Sequence, residues 1–458
     1  MSFQKGKATL PTSWRGIAKK SACYKLLSSL LTRRLSNFCE ATGVIPNEQH
    51  GFRRGHSTMT ACSALLDDVK QALAKPSQPL YAVFVDFRAA FDSAPRNIVL
   101  RLLAEAGVPP KVLNLLVAIL QENNICIDDG VAELPPFTQT TGVAQGDNLS
   151  PLLFSVLLKD LPSRVRGPRE LVKVILYADD LVVYGLNRFQ VQQTLARLHT
   201  TATELGLTVN QTKTVAMKFR RGGRIAAGDE LRLAGSPLAY VSKFPYLGLL
   251  LSPNGRSFRA HVTERCRMAL TAVSTIRKPQ LLSVPTALRL FDLKVAPMAA
   301  YGAATIWDDL TPACLEQLNR VKATYLKRVL GLHRVARNRL VYLLADTPLF
   351  IEELRHRFDL PTTPSFKEVL STWEAKFADI DADFLNSGAM RSQTWKEGNR
   401  SNRHVVTRYA VHGYHHKLCA TLGYHEPRDS CRCLRCNQLC NRYHAAHCGL
   451  VSSLASLA

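Results

Sequence analysis

A chain of 458 residues, 46% hydrophobic and 21% charged, has material for roughly two to four domains and is too apolar for wholesale disorder. Lysine and arginine outnumber aspartate and glutamate 59 to 36, a formal charge of +23, which selects a polyanionic partner, nucleic acid ahead of an anionic membrane surface. No apolar run reaches the ~18 residues of a spanning helix, and Met1-Ser2-Phe3-Gln4-Lys5 lacks the apolar stretch of a signal peptide, so an intracellular protein is expected.

The first segment is basic and helical in pattern: Tyr24, Leu26, Leu27, Leu30, Leu31 and Leu35 recur at helical spacing, with Arg33 and Arg34 on the other side. Gln49 to Thr58 follows as a basic loop framed by Gly51 and Gly55, and Ser57 or Thr58 can cap the next helix. Leu80 to Phe87 is an apolar, β-prone run that carries Asp86 at its end. Asp92 or Ser93, with Pro95 just behind, predicts a helix through Ala106 that stops at Gly107.

Thr140 to Asp147 is a polar turn punctuated by Gly142 and Gly146. Ser150-Pro151 then opens an apolar helix, Leu152 to Leu161. Val172 to Leu176 and Leu181 to Tyr184 read as two strands with Tyr177-Ala178-Asp179-Asp180 at the tip between them. A helix is expected over 188–205, a strand over 214–219 and a further strand over 244–251, closed by Pro253-Asn254-Gly255. From Arg256 to about Ala345 the pattern is helical and rich in arginine and lysine. Residues 360–410 are more polar and read as a linker or a loose helical extension.

Asp179-Asp180 at a hairpin tip places hard oxygen ligands together, the kind that suit Mg²⁺. Asp86 at the end of a second strand adds a third carboxylate. Such a set can hold two divalent cations about 3.5–4 Å apart, which activate an attacking hydroxyl and steady a leaving oxyanion in phosphoryl displacement. A basic surround would hold a nucleic-acid strand and a triphosphate. The residues alone therefore point to nucleotidyl transfer.

The order of the segments resembles that of reverse transcriptases of non-LTR (LINE-type) retrotransposons. Phe84-Val85-Asp86-Phe87-Arg88-Ala89-Ala90-Phe91-Asp92 is similar to their first palm motif, Thr141 to Pro151 to the second, and Tyr177 to Asp180 to the third. Gly206-Leu207-Thr208-Val209-Asn210 with Lys213-Thr214 is similar to the fourth, and Tyr246-Leu247-Gly248 to the fifth; Trp14-Arg15-Gly16-Ile17 and Gln49 to Thr58 resemble finger motifs. The resemblance covers residues 11–345. Gly16 stands where the family usually has proline, and Arg88-Ala89 replaces a more usual Ser-Lys-like pair.

That resemblance implies an α+β right-hand polymerase with fingers over 1–78, an antiparallel-sheet palm over 79–255, a helical thumb over 256–350, a linker or helical extension over 351–410, and a Cys/His-rich tail over 411–458. It implies RNA-templated DNA synthesis with Mg²⁺, with an RNA template, a DNA primer or target, and dNTPs as partners, and a nuclear site of action on target DNA. Asp86, Asp179 and Asp180 would be the metal ligands. Phe91 would exclude a ribose 2′-OH, Gln145 and Gly146 would line the nucleotide, Lys213 would lie by the pyrophosphate, and Arg53 by the triphosphate. An RNA-dependent RNA polymerase shares the carboxylate logic, but Phe91 argues against it; a non-catalytic nucleic-acid-binding remnant is the other alternative. The chain opens almost at the first finger motif and shows no endonuclease segment, so a piece of a longer polyprotein is expected.

Of the 12 cysteines, five crowd between Cys431 and Cys448, with His444 and His447 among them, which reads as metal rather than disulfide. Cys433-x2-Cys436-x7-His444-x3-Cys448 resembles the Cys-Cys-His-Cys knuckle that follows the polymerase in many such proteins, and zinc is expected there. Cys436, Cys440, His444 and Cys448, four apart, are the alternative set.

Overall fold

The computed structural model describes residues 2–3, 14–15 and 17–378, apart from 77, 122, 127–134, 168–170, 223–226, 333, 335 and 337. The Cys433, Cys436, His444 and Cys448 set lies outside the described residues. The chain divides into two compact units, residues 1–256 and 257–458.

In the first unit, α1 (Ala22–Ala41) and α2 (Thr58–Ala74) precede β1 (Leu80–Val85). Ser57 caps α2, and Thr60 returns the bond to the Ser57 backbone, a reciprocal box that ends the basic loop sharply. After α3 (Arg96–Glu105) and α4 (Ser150–Leu157) comes the hairpin of β2 (Val172–Tyr177) and β3 (Asp180–Gly185). Then follow α5 (Arg188–Glu204), β4 (Val215–Phe219) and β5 (Ala239–Tyr240). The sheet runs β5-β4-β1-β3-β2, antiparallel except for the short parallel β5–β4 pair at one edge.

All six residues of β1 are buried, which explains its unbroken apolar run. On one face, Tyr81, Val83 and Val85 join Leu195 and Leu198 of α5 in the main core. From the other, Phe84 stacks on Phe244 at 4.3 Å between ring centres. A strand covered on both faces has no room for a polar residue until it emerges, and it emerges at Asp86.

Three expected elements are divided. The helix expected from Asp92 to Ala106 is a single turn, Ala90–Ser93, followed by α3; Pro95 between them has no N–H to continue a helix and bars the residue before it from helical geometry. The strand expected over 244–251 is a hairpin of β6 (Phe244–Tyr246) and β7 (Leu249–Leu251). Leu247 (φ +47°) and Gly248 (φ +81°) make the two-residue turn, with both residues at the positive φ that matches strand twist. The helix opened by Ser150-Pro151 ends at Leu157, and a second short helix follows over Leu161–Val165.

The second unit is helical among its described residues. α6 (Arg259–Thr275), α7 (Val284–Lys294), α9 (Phe350–Arg357) and α10 (Pro364–Ala378) each pack on α8 (Pro312–Val329). Phe291, Tyr325 and Phe350 meet in its core. Lys322 is 1% exposed and would be a costly buried charge alone; Glu353 pairs with it and Thr347 Oγ1 accepts at 2.7 Å. Residues 351–378, where the polar composition suggests a linker or extension, form packed helices: Trp373 is 3% exposed and donates to Glu316 Oε1 at 2.6 Å. Among the described residues no helix is long and apolar enough to cross a membrane.

Candidate active site

The register of the sheet places the carboxylates. β2 and β3 pair up to Tyr177–Asp180, leaving Ala178 and Asp179 as the turn. β1 pairs with β3 up to Val85–Leu181, so Asp86 and Asp180 sit one step beyond that pair on neighbouring strands. Residues directly across two strands lie about 4.5–5.5 Å apart, close enough for their carboxylates to share a site. Oδ2 of Asp86 is buried without a hydrogen-bond partner, and Lys213 Nζ lies 3.9 Å from it as the ion-pair neighbour. Among the described residues no three His, Cys, Asp or Glu side chains are drawn together closely enough to enclose a metal ion.

The segment with Lys213 docks on the end of β1. Asn210 N–H donates to Asp86 O at 2.7 Å, Arg88 N–H to Thr208 O at 2.8 Å, and Asp86 N–H to Thr214 Oγ1 at 3.3 Å. These bonds fix the emerging strand, and they bring Lys213, 71% exposed along its side chain, to the carboxylate.

The polar turn over 142–147 seats on Phe91 to Ala94. Val143 N–H donates to Phe91 O at 2.7 Å and Gly142 N–H to Ala94 O at 3.0 Å. Gln145 Nε2 reaches Asp92 Oδ2 at 3.4 Å, and its carbonyl accepts from Ala18 N–H at 2.9 Å. Gly146 follows at φ +93°. Phe91 is half-buried and stacked on Phe154 of α4, ring centres 4.9 Å apart. Phe91, Gln145 and Gly146 are thus brought together.

Arg53 is placed differently. Its Nε and Nη2 bond both oxygens of Glu40 at 2.8 and 2.7 Å, and Nη1 donates to the carbonyls of Pro46 and Gln49 at 2.9 and 3.1 Å. These bonds hold the Glu40 carboxyl below its usual range. Most of the guanidinium's donors are spent bracing the loop, and its side chain is only 10% exposed.

The reverse transcriptase (RNA-dependent DNA polymerase) family matches residues 4–251, more than half of the chain and all of the segments just described. The chain belongs to the reverse transcriptase family. A Drosophila melanogaster protein named "Probable RNA-directed DNA polymerase from transposon BS" is 25% identical over 383 residues, covering 81% of this chain and 40% of its own length. The Pol polyprotein of the type-1 retrotransposable element R2 of Popillia japonica is 26% identical over 366 residues, 75% of this chain and 49% of its own. The chain therefore spans less than half the length of these relatives. An apo telomerase of Candida tropicalis overlaps 78% of this chain and 58% of its own at 13% identity, with a TM-score of 0.38. The family is the one that the motif order implied, of the non-LTR retrotransposon type.

Within this reverse transcriptase chain the structure adds residues that motif reading passed over. Asp92 reads as a helix cap, yet it meets Gln145. Tyr24 OH donates to Asp147 Oδ2 at 2.5 Å, joining α1 to the second-motif turn; burial, with Asp147 beside it, raises the hydroxyl's pKa and keeps it a donor. Arg96 is 8% exposed and gathers the carbonyls of Leu120, Gln139, Thr141 and Gly142. A lone arginine in a helical pattern carries no sign of such a role; only four converging carbonyls reveal it.

Proposed function

We propose that this chain is the polymerase portion of a retrotransposon protein, extending a DNA primer with dNTPs on an RNA template. The observation that carries the reading is the register that sets Asp86 beside Asp180, with the turn of Gln145 and Gly146 seated on Phe91-Asp92. Asp86, Asp179 and Asp180 offer hard carboxylate oxygens, and the orphaned Oδ2 of Asp86 fits a divalent cation. Bound by these carboxylates, two Mg²⁺ ions would activate the primer 3′-OH and offset charge on the leaving pyrophosphate.

The chain's own groups supply the rest. Lys213 holds an ammonium beside Asp86, where it can give a proton to the leaving group. Gln145 and Gly146 line the nucleotide from the turn. Phe91, braced by Phe154, walls the sugar. The excess positive charge holds the template and primer through their phosphates.

The test is primer extension by the full chain on an RNA template with Mg²⁺ and dNTPs. Extension to the template end is expected; template-primer binding with no nucleotide added would instead mark a non-catalytic remnant. In the same assay, Phe91→Ala should raise rNTP over dNTP incorporation by about 10-fold or more, which needs only about 1.4 kcal/mol of lost steric exclusion. DNA synthesis itself should fall less. An unchanged rNTP/dNTP ratio would leave Phe91 as core packing against Phe154.

A further inference from the structure

We infer that Gln49 is a positioning residue for the Asp179-Asp180 turn, its buried side-chain oxygen holding the backbone of Ala178 from beneath. The inference rests on the polymerase reading above for its catalytic meaning, and on geometry alone for the contact. Glu48 to His50 run beside β2 as a short parallel bridge. Leu176 N–H donates to Glu48 O at 2.8 Å and His50 N–H to Leu176 O at 2.7 Å. That pairing brings Gln49, fully buried, under the hairpin tip. Its Oε1 accepts from Ala178 N–H at 2.9 Å and from Gly51 N–H at 2.8 Å.

Ala178 needs such a hold. It is buried and has φ +53°, a conformation that a residue with a Cβ adopts only when its surroundings impose it. Its N–H belongs to the turn and has no place in the β2–β3 ladder, so without Gln49 a buried donor would go unpaired. The approach is close: a Cβ on Gly51 would lie 2.4 Å from Ala178 N and 3.0 Å from Gln49 Oε1, so glycine is what lets the loop reach the turn. The amide's other end shows which atom matters. Nε2 of Gln49 is buried without a partner, so two backbone donors set the orientation of the amide, and the oxygen does the holding. Arg53 completes the device by donating to the Gln49 carbonyl. Asp179 follows Ala178 directly, so any relaxation of Ala178 moves the carboxylate.

The experiment compares the full-length parent with Gln49→Met, which keeps length and removes the acceptor, and Gln49→Glu, which keeps an oxygen in either protonation state. Two readouts are taken: primer-extension kinetics and amide hydrogen exchange of the peptide over residues 176–180. For Gln49→Met, exchange there should quicken by about 10-fold while residues 80–85 stay unchanged. The kcat should fall about 10- to 100-fold, the cost of a small misplacement of reacting groups. Template-primer affinity should hold within about twofold, because the lysine and arginine contacts to phosphate that would carry it do not lie on the turn. Gln49→Glu should keep slow exchange and most of the parent kcat. Exchange in Gln49→Met as slow as the parent's would overturn the contact. Faster exchange with kcat within about twofold of the parent would overturn the positioning role. If Gln49→Met does not fold, fast exchange over 176–180 in Gln49→Glu would overturn the hold. A parent that makes no DNA sinks the polymerase reading, and the exchange arm still decides the contact.

Discussion

Asp179→Ala, or Asp180→Ala, should lower primer extension by about 10³-fold or more while leaving template-primer affinity within about twofold. The two effects separate because they arise on different atoms. On the proposed reading, transition-state charge would be met by the cations that the carboxylates would hold, where Asp180 and Asp86 stand on adjacent strands just past the Val85–Leu181 pair and Asp179 forms the turn. Affinity would be carried by lysine and arginine on phosphates, which neither substitution touches. Stability should change little, since Asp180 is exposed and Asp179 partly so, whereas the strands beneath them are buried. Synthesis within about tenfold of the parent would remove these carboxylates from the chemistry.

Gly142→Ala should be the most damaging conservative change outside the carboxylates. A Cβ there would lie 2.3 Å from Asp92 O, 2.6 Å from Asp92 C and 2.7 Å from Asp92 Cα, all backbone atoms that cannot swing aside. The residue also has φ +79°, which costs a side-chain-bearing residue on the order of 1–2 kcal/mol by itself. Relief requires lifting the 142–147 turn from Phe91 to Ala94. That breaks the Gly142 and Val143 hydrogen bonds and loosens the grip of Arg96 on the Gly142 carbonyl. A loss of about 2–4 kcal/mol in unfolding free energy is expected from the strain and the stranded buried groups, with a rise in KM for dNTP as Gln145 and Gly146 shift. Denaturant unfolding and dNTP titration measure the two. A variant with parental stability and KM would show that the turn is not seated on Asp92 as described.

The residue pattern by itself determined a good part of this protein. An unbroken apolar run ending in Asp86 and an apolar hairpin tipped by Asp179-Asp180 are legible because burial writes periodicity into sequence, and a strand covered on both faces admits carboxylates only where it emerges. The motif order carried the family, and the composition carried the expectation of a polyanionic partner. Tertiary structure decided the rest. Pro95 split one expected helix, and two residues at positive φ, Leu247 and Gly248, folded one expected strand into a hairpin; both are local backbone choices that hydrophobic pattern does not encode. The contacts that hold the site came only with the fold. Gln49 reaches Ala178 across 129 positions, Tyr24 reaches Asp147 across 123, and Arg53 pairs with Glu40 across the loop. Each is a polar side chain paired with a residue outside its own element, and for Gln49 the partner is a backbone atom that has no identity of its own in the sequence. Periodicity reports that a residue is covered; it does not report which donor or acceptor covers it, and that pairing follows only from the packed geometry of the chain.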